Sequence, residues 1–217
     1  MVVKCVIFDF DGVISNTEES NYEFLQKALK EYGILLTDKE KYSLIGTSDS
    51  RILEDILRRS QADVSLEELK KKRVAIGNTY ENTDIQPMHG LISLLDILKK
   101  KQIQMAIATS TSTRLIMTAL NKMHLISYFD SIVCGDMCAN RKPDPEIYNK
   151  TMAYLGRKPE ECIIIEDSTA GITAGKRAGT YVIAYSGSGI LQDRTDADCL
   201  VETYDECQKV ICDLLNN

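Results

Sequence analysis

Apolar residues along this chain follow two rhythms that take turns. Short, nearly unbroken aliphatic runs stand at Val2 to Phe8, Ile103 to Ala108, Ser131 to Cys134, Cys162 to Ile165 and Tyr181 to Ala184. Runs of that length suit strands of a parallel sheet covered on both faces. Between them, roughly 90–101, 112–123, 144–155 and 168–178 repeat apolar positions every three or four residues, as amphipathic helices do. Strand and helix in alternation predict a doubly wound α/β domain. From about 17 to 85 the alternation stops. That stretch holds amphipathic patterns only, such as Tyr22, Leu25, Leu29 and Tyr32, then Ile52, Leu53, Ile56 and Leu57. It predicts a small α-helical cap domain over 17–83, inserted into an α/β core made of 1–16 and 84–217. The linkers fall near 14–18 and 83–89, and two linkers predict a hinge on which a cap can close. Tyr204 to Leu215 reads as an amphipathic tail helix without recognisable chemistry.

Composition excludes whole classes. With 217 residues, a net charge of −6, 44% hydrophobic and 27% charged residues, the chain is an ordinary globular protein and no general binder of nucleic acid or anionic membrane. No apolar run nears the ~18 residues that span a bilayer. Met1-Val2-Val3-Lys4 leads into a strand-like run, unlike a signal peptide, so a cytoplasmic location is expected, with neither nucleic-acid nor membrane partners. The lysine runs at 70–72 and 99–101 fall near helix ends and read as solvated faces. Seven cysteines are an odd number, and Cys5, Cys134, Cys162 and Cys199 lie in strand-like stretches, so reduced, packed thiols are expected. Cys134 and Cys138 lack a second pair at zinc-finger spacing, and the only histidines, His89 and His124, lie elsewhere.

In parallel α/β sheets, ligands bind outside the carboxyl ends of the strands, and here those ends are polar. The first closes as Asp9-Phe10-Asp11-Gly12, which sets two carboxylates on the same side of an extended chain before a turn-permissive glycine. Such a pair can hold a hard cation, although solvated turns also use Asp-x-Asp. The second closes as Thr109-Ser110-Thr111-Ser112 at a helix start, where hydroxyls and free N–H groups suit an anion. A plain N-cap explains one hydroxyl of the four. In Asn140-Arg141-Lys142-Pro143-Asp144-Pro145-Glu146, Pro143 keeps Lys142 extended, Asp144 can cap a helix and Pro145 fits its first position. The fourth strand delivers Glu166-Asp167-Ser168 before a helix rich in small residues, Gly171, Ala174, Gly175 and Ala178. Adjacent acids after an apolar strand call for a positive neighbour, and Mg²⁺ is the expected cofactor, since it favours few carboxylates with water and phosphate oxygens.

Asp9-Phe10-Asp11-Gly12-Val13, Thr109, Lys142-Pro143, and Glu166-Asp167-Ser168 with Gly171 and Ala178-Gly179, in this order, resemble the haloacid dehalogenase superfamily over about 1–186. The helical insertion directly after the first strand resembles the branch of β-phosphoglucomutase and phosphoglycolate phosphatase-like enzymes. The resemblance implies a Rossmann-like core and a Mg²⁺-dependent phosphatase of small phosphorylated metabolites, sugar phosphates above all, acting through an aspartyl-phosphate. It makes Asp9 the nucleophile and gives Mg²⁺ to Asp9, the Asp11 carbonyl and Asp167, with Glu166 as ligand or support. It assigns Asp11 the proton transfers at the leaving and attacking oxygens, and Thr109, the Ser110 amide and Lys142 the phosphoryl oxygens. Dehalogenases and phosphonatases of the superfamily lack the second aspartate, so Asp11 favours phosphate esters.

A sugar-phosphate mutase of the β-phosphoglucomutase type shares the intermediate and is the alternative. Those mutases usually show a basic residue after the cap-loop serine, where Gly46-Thr47-Ser48-Asp49-Ser50-Arg51 has Asp49, and a histidine where Asn21 stands after the matching Thr17. Both departures favour a phosphatase. Thr17, Asn21, Gly46, Ser48 and Arg51 are the candidate substrate-selecting residues, and His89-Gly90 reads as part of the hinge. A monomer is expected, because a swinging cap needs room. The non-enzymatic alternative is a phospho-accepting receiver domain. Receivers carry the phosphorylated aspartate after the third strand, here Val133-Cys134-Gly135-Asp136, and have no helical insertion.

Overall fold

The structure, a computed structural model, describes residues 2–44 and 50–216. In chain order, β1 (Cys5–Phe8) is followed by α1 (Glu18–Glu31), α2 (Asp38–Leu44), α3 (Ser50–Ser60), α4 (Leu66–Ile76) and α5 (Thr79–Asn82). Then come α6 (Leu91–Lys100), β2 (Gln104–Thr109), α7 (Thr113–Lys122), β3 (Ser131–Cys134), α8 (Glu146–Leu155) and β4 (Cys162–Glu166). The chain ends with α9 (Thr169–Arg177), β5 (Tyr181–Tyr185), β6 (Cys199–Val201) and α10 (Tyr204–Asn216). Two compact units result, Met1–Asn16 with Gln86–Asn217, and Thr17–Ile85.

The first unit is built on a parallel sheet in the order β3-β2-β1-β4-β5-β6. Every residue of β1 and β4 is buried, which is why their sequences run apolar without alternation. Helices cover the sheet with periodic apolar stripes, as in α6, where Leu91, Leu94, Leu95 and Leu98 are all buried. Small residues bring α9 close: a side chain at Gly175 would press on Val182 and Ile164. From β1 the chain works outward through β2 to β3, then crosses to β4 on the other side of β1 and works outward again. That reversal opens a crevice at the carboxyl ends of β1 and β4. Here the sequence ends its strands in acids.

Three local expectations shift. Strand β6 joins the five predicted strands; Cys199 stood in a strand-like stretch, but three residues with Leu200 exposed are too short a run to predict a strand. Helix α8 starts two residues late, so Pro145 takes the cap position and Asp144 caps by accepting from the Glu146 N–H at 2.9 Å. Strand β1 stops at Phe8, so Asp11 lies beyond the strand, in an isolated bridge with Ser15 that closes the turn at 12–14. All seven cysteines are free thiols. Among the described residues no helix is long and apolar enough to cross a membrane.

The second unit carries its own core, with Leu25, Ala28, Leu29, Ile34, Ile56, Leu57 and Leu69 buried together. Side-chain caps start its helices α4 and α5, whereas Thr17 makes none at α1. Ser65 and Glu68 form a reciprocal capping box at α4, and Asn78 accepts from the Glu81 N–H at α5.

Candidate active site

The turn after β1 places the first two acids. Phe10 is buried, and its carbonyl accepts from the N–H groups of Ile14 and Ser15, while Gly12 donates to the Ser15 carbonyl. Gly12 has φ +79°, and a Cβ there would overlap the Asp167 carboxylate, so only glycine lets the acid just after β4 approach this turn. The buried Tyr204 of α10 donates to the Val13 carbonyl at 2.7 Å and pins the turn from below. The tail helix therefore holds the site, a role its sequence did not signal. Within this turn the two aspartates part company. Asp9 accepts from Lys142 at 2.6 Å, whereas Asp11 accepts from the Thr111 hydroxyl at 2.8 Å.

The side chain of Lys142 is 5% exposed, unlike that of a solvated loop lysine. Its three N–H donors reach Asp9 Oδ1 at 2.6 Å, Glu166 Oε1 at 2.8 Å and the Ala108 carbonyl at 3.0 Å, so the ammonium is fully used. The loop that delivers it is organised by Glu146, whose carboxylate accepts from the Ala139 and Asn140 N–H groups and pairs with Lys150. These partners hold Glu146 down to about 2.

Glu166 is fully buried, and both its oxygens are committed within the protein. Oε1 accepts from Lys142 and from the Tyr148 hydroxyl at 3.2 Å; Oε2 accepts from the Ser168 N–H at 2.7 Å and hydroxyl at 2.9 Å. Burial, then Glu166, holds the Tyr148 hydroxyl well above its usual range, so it stays a donor. Asp167 accepts from the Ser188 hydroxyl at 3.3 Å, and its carbonyl accepts from Arg194 at 3.0 Å.

A Cβ on Gly171 would overlap the Glu166 carboxylate. Alanine gains up to about 1 kcal/mol in helix propensity, but overpacking against a side chain fixed by four hydrogen bonds costs about 1–3 kcal/mol. The overlap wins. Gly171→Ala is expected to lower the melting temperature by about 5 °C, given about 2–4 °C per kcal/mol at this length. An unchanged or raised melting temperature would show that Glu166 has room to move.

The hydroxyl run at the end of β2 is more occupied than its sequence suggests. Thr109 is buried and accepts from the Thr111 N–H at 3.1 Å. Ser110 is exposed, and its carbonyl lies where any side chain on Gly135 would collide. At the start of α7, Ser112 makes no side-chain cap. Instead Asp136, from the turn after β3, accepts from the Thr113 N–H at 3.0 Å and hydroxyl at 2.7 Å, so that amide is not free for an anion.

Asp9, Glu166 and Asp167 offer carboxylate oxygens that lie within 4.8 Å of one another. Burial pushes the Asp9 carboxyl up to about 8, Lys142 pulls against this, and Glu166 and Asp11 add to the rise. Burial works against the Lys142 charge too, but Asp9 and Glu166 outweigh it and hold Lys142 well above its usual range. One ammonium thus pairs with two of the three clustered acids, Asp9 and Glu166, and not with Asp167. The excess negative charge and the all-oxygen donor set fit a hard divalent cation such as Mg²⁺.

The remaining predicted residues lie in the helical unit. Thr17 is buried just before α1, and Arg51 is exposed on α3. The Asn21 amide oxygen accepts from Thr79 at 2.9 Å and Arg73 at 3.4 Å. Gly46 and Ser48 lie outside the described residues. Sequence reasoning missed Tyr148, Ser188, Arg194 and Asp136. Only Tyr148 left a signal, a hydroxyl on the apolar face of a helix that directly follows the Lys142 loop.

A sequence model of the haloacid dehalogenase-like hydrolases matches residues 6–185. The chain is similar to the phosphorylated carbohydrates phosphatase of Thermotoga maritima, with 32% identity over 200 residues that cover 92% of this chain and 91% of the relative. It is similar to the β-phosphoglucomutase of Bacillus subtilis, with 31% identity over 209 residues, 92% of this chain and 89% of the relative. The solved β-phosphoglucomutase of Clostridium difficile superposes with a TM-score of 0.75 at 27% identity, covering 100% of both chains.

Proposed function

The chain belongs to the haloacid dehalogenase-like hydrolases, and on that premise we propose that it is a Mg²⁺-dependent phosphatase of small phosphorylated carbohydrates. The observation that carries this reading is the division of labour between Asp9, held by Lys142, and Asp11, held by Thr111. An Asp9 oxygen attacks phosphorus and the bond to the ester oxygen breaks, leaving an aspartyl-phosphate. Asp11 gives its proton to the departing oxygen. It then takes a proton from the water that attacks the same phosphorus, which releases inorganic phosphate and restores Asp9. Lys142, Thr109 and the Ser110 N–H meet the charge on the phosphoryl oxygens.

Asp9, Asp167 and the Asp11 carbonyl would hold the cation. Glu166, which already accepts four hydrogen bonds, supports them and fixes Lys142. When bound, Mg²⁺ supplies positive charge that keeps Asp9 ionised and eases its approach to an anionic phosphate.

A mutase is the second reading, favoured by the similarity to β-phosphoglucomutase. Against it stands Asn21, a neutral amide engaged by Thr79 and Arg73, where a mutase usually has histidine. The receiver alternative gains no support: Asp136, the acid after β3, caps α7. Phosphorus NMR with Mg²⁺, β-glucose 1-phosphate, a trace of glucose 1,6-bisphosphate and a wider panel of sugar phosphates tests these readings. Inorganic phosphate is expected, and it should vanish with excess EDTA and return with added Mg²⁺. Glucose 6-phosphate without free phosphate would establish the mutase.

A further inference from the structure

Tyr148 sits on the buried face of α8, in its first turn directly after the loop that delivers Lys142, and it is fully buried. It touches the charged cluster twice. Its hydroxyl donates to Glu166 Oε1 at 3.2 Å, the oxygen that Lys142 reaches at 2.8 Å. Its ring lies beside the Lys142 ammonium, with Nζ 4.9 Å from the centroid. The three ammonium hydrogens are spent on Asp9, Glu166 and Ala108, all on the side of the strand ends. The aromatic face gives the cation an electrostatic partner that needs no hydrogen and no second acid. A further carboxylate in that place would draw the ammonium away from Asp9, and an aliphatic side chain would leave it unsupported.

We propose that Tyr148 is a positioning residue that seats Lys142 against Asp9, its ring carrying the ammonium and its hydroxyl fixing the Glu166 oxygen that shares it. The proposal rests on the phosphoryl-transfer reading for its consequence in turnover, but the placement of Lys142 can be read without turnover. Being buried, Tyr148 does not touch substrate; it acts through the lysine.

Competitive acetylation of lysines by acetic anhydride, read by mass spectrometry, reports the placement. Lys142 in the unaltered protein should be protected relative to Lys4 and Lys150, whose side chains are 46% and 37% exposed. In Tyr148→Phe, which keeps the ring, protection should persist. In Tyr148→Leu it should fall several-fold with Lys4 and Lys150 unchanged, whereas general unfolding would raise labelling everywhere. Tyr148→Met, closer in length, repeats the measurement if the leucine variant does not fold. In kinetics, Tyr148→Leu should lose about tenfold or more in kcat, the scale of a desolvated cation–π contact, with KM changed by less than about threefold. Tyr148→Phe should restore most of that loss. In a Lys142→Met background, Tyr148→Leu should subtract nothing further, because the group it positions is gone. Continued protection of Lys142 in Tyr148→Leu, or equal kinetic losses in both backgrounds, overturns the proposal. Absence of turnover in the unaltered protein would instead overturn the phosphatase reading, and the labelling would still decide the role of Tyr148.

Discussion

Asp9→Asn is expected to lower kcat by roughly 10⁴-fold or more while leaving the melting temperature unchanged or higher. The two halves of this expectation have one cause. Asp9 is buried beside two other acids, and burial already pushes its carboxyl up to about 8, so ionising it in place comes at a cost to the fold. An amide of the same shape removes that charge, and its oxygen can still accept from Lys142, whose other partners, Glu166 and Ala108, are untouched. What the amide cannot do is attack phosphorus, because it has no anionic lone pair to donate. Phosphate release and thermal melting on the same preparation check both halves. Residual turnover above about 1%, well beyond what loss of a covalent nucleophile permits, would move the nucleophile to Asp11 or to water. A large fall in melting temperature would show that the charge stabilises the fold.

How much of this arrangement was legible in advance follows from what kind of interaction places each residue. The strands were readable because buried parallel strands tolerate only apolar residues, and the acids at their ends stood out against that background. The strand order was not readable, since five similar aliphatic runs carry no label for their neighbours. Yet the order brings Asp9 beside Glu166 and Asp167. Lys142 was legible as a candidate only through the resemblance, because its burial depends on side chains 133 and 24 residues away. The supporting contacts were hidden for the same reason. Asp136 reads as a loop acid until β3 packs beside β2 and brings it to the Thr113 amide. Gly12 and Gly171 read as a turn residue and a small helix residue; that each makes room for a carboxylate is a fact of the packed state.

Lys142→Met is expected to damage fold and turnover together, the opposite of the Asp9→Asn pattern. Methionine keeps the length of the side chain and removes the charge, leaving Asp9 and Glu166 buried without their common partner. Breaking a buried pair by removing one member costs about 3–5 kcal/mol, which at this chain length is on the order of 10 °C in melting temperature. The loss should depend on pH. Asp9 already has its carboxyl raised above the ordinary range by burial, and without Lys142 nothing on its side of the balance pulls it down. A carboxyl raised in the folded state binds its proton more tightly there than in the unfolded chain. Its contribution is therefore complete below the ordinary carboxylate range and is lost as pH rises towards and through the raised value. The deficit of Lys142→Met against the unaltered protein, measured without divalent metal, should accordingly be smaller at pH 6 than at pH 8. Turnover should fall by about 10²–10³-fold, the scale of one preorganised charge on a developing anion. A variant that melts like the unaltered protein at both pH values would mean that the acids are balanced by something other than this ammonium, and the assignment of Lys142 as the counter-charge of Asp9 would have to be given up.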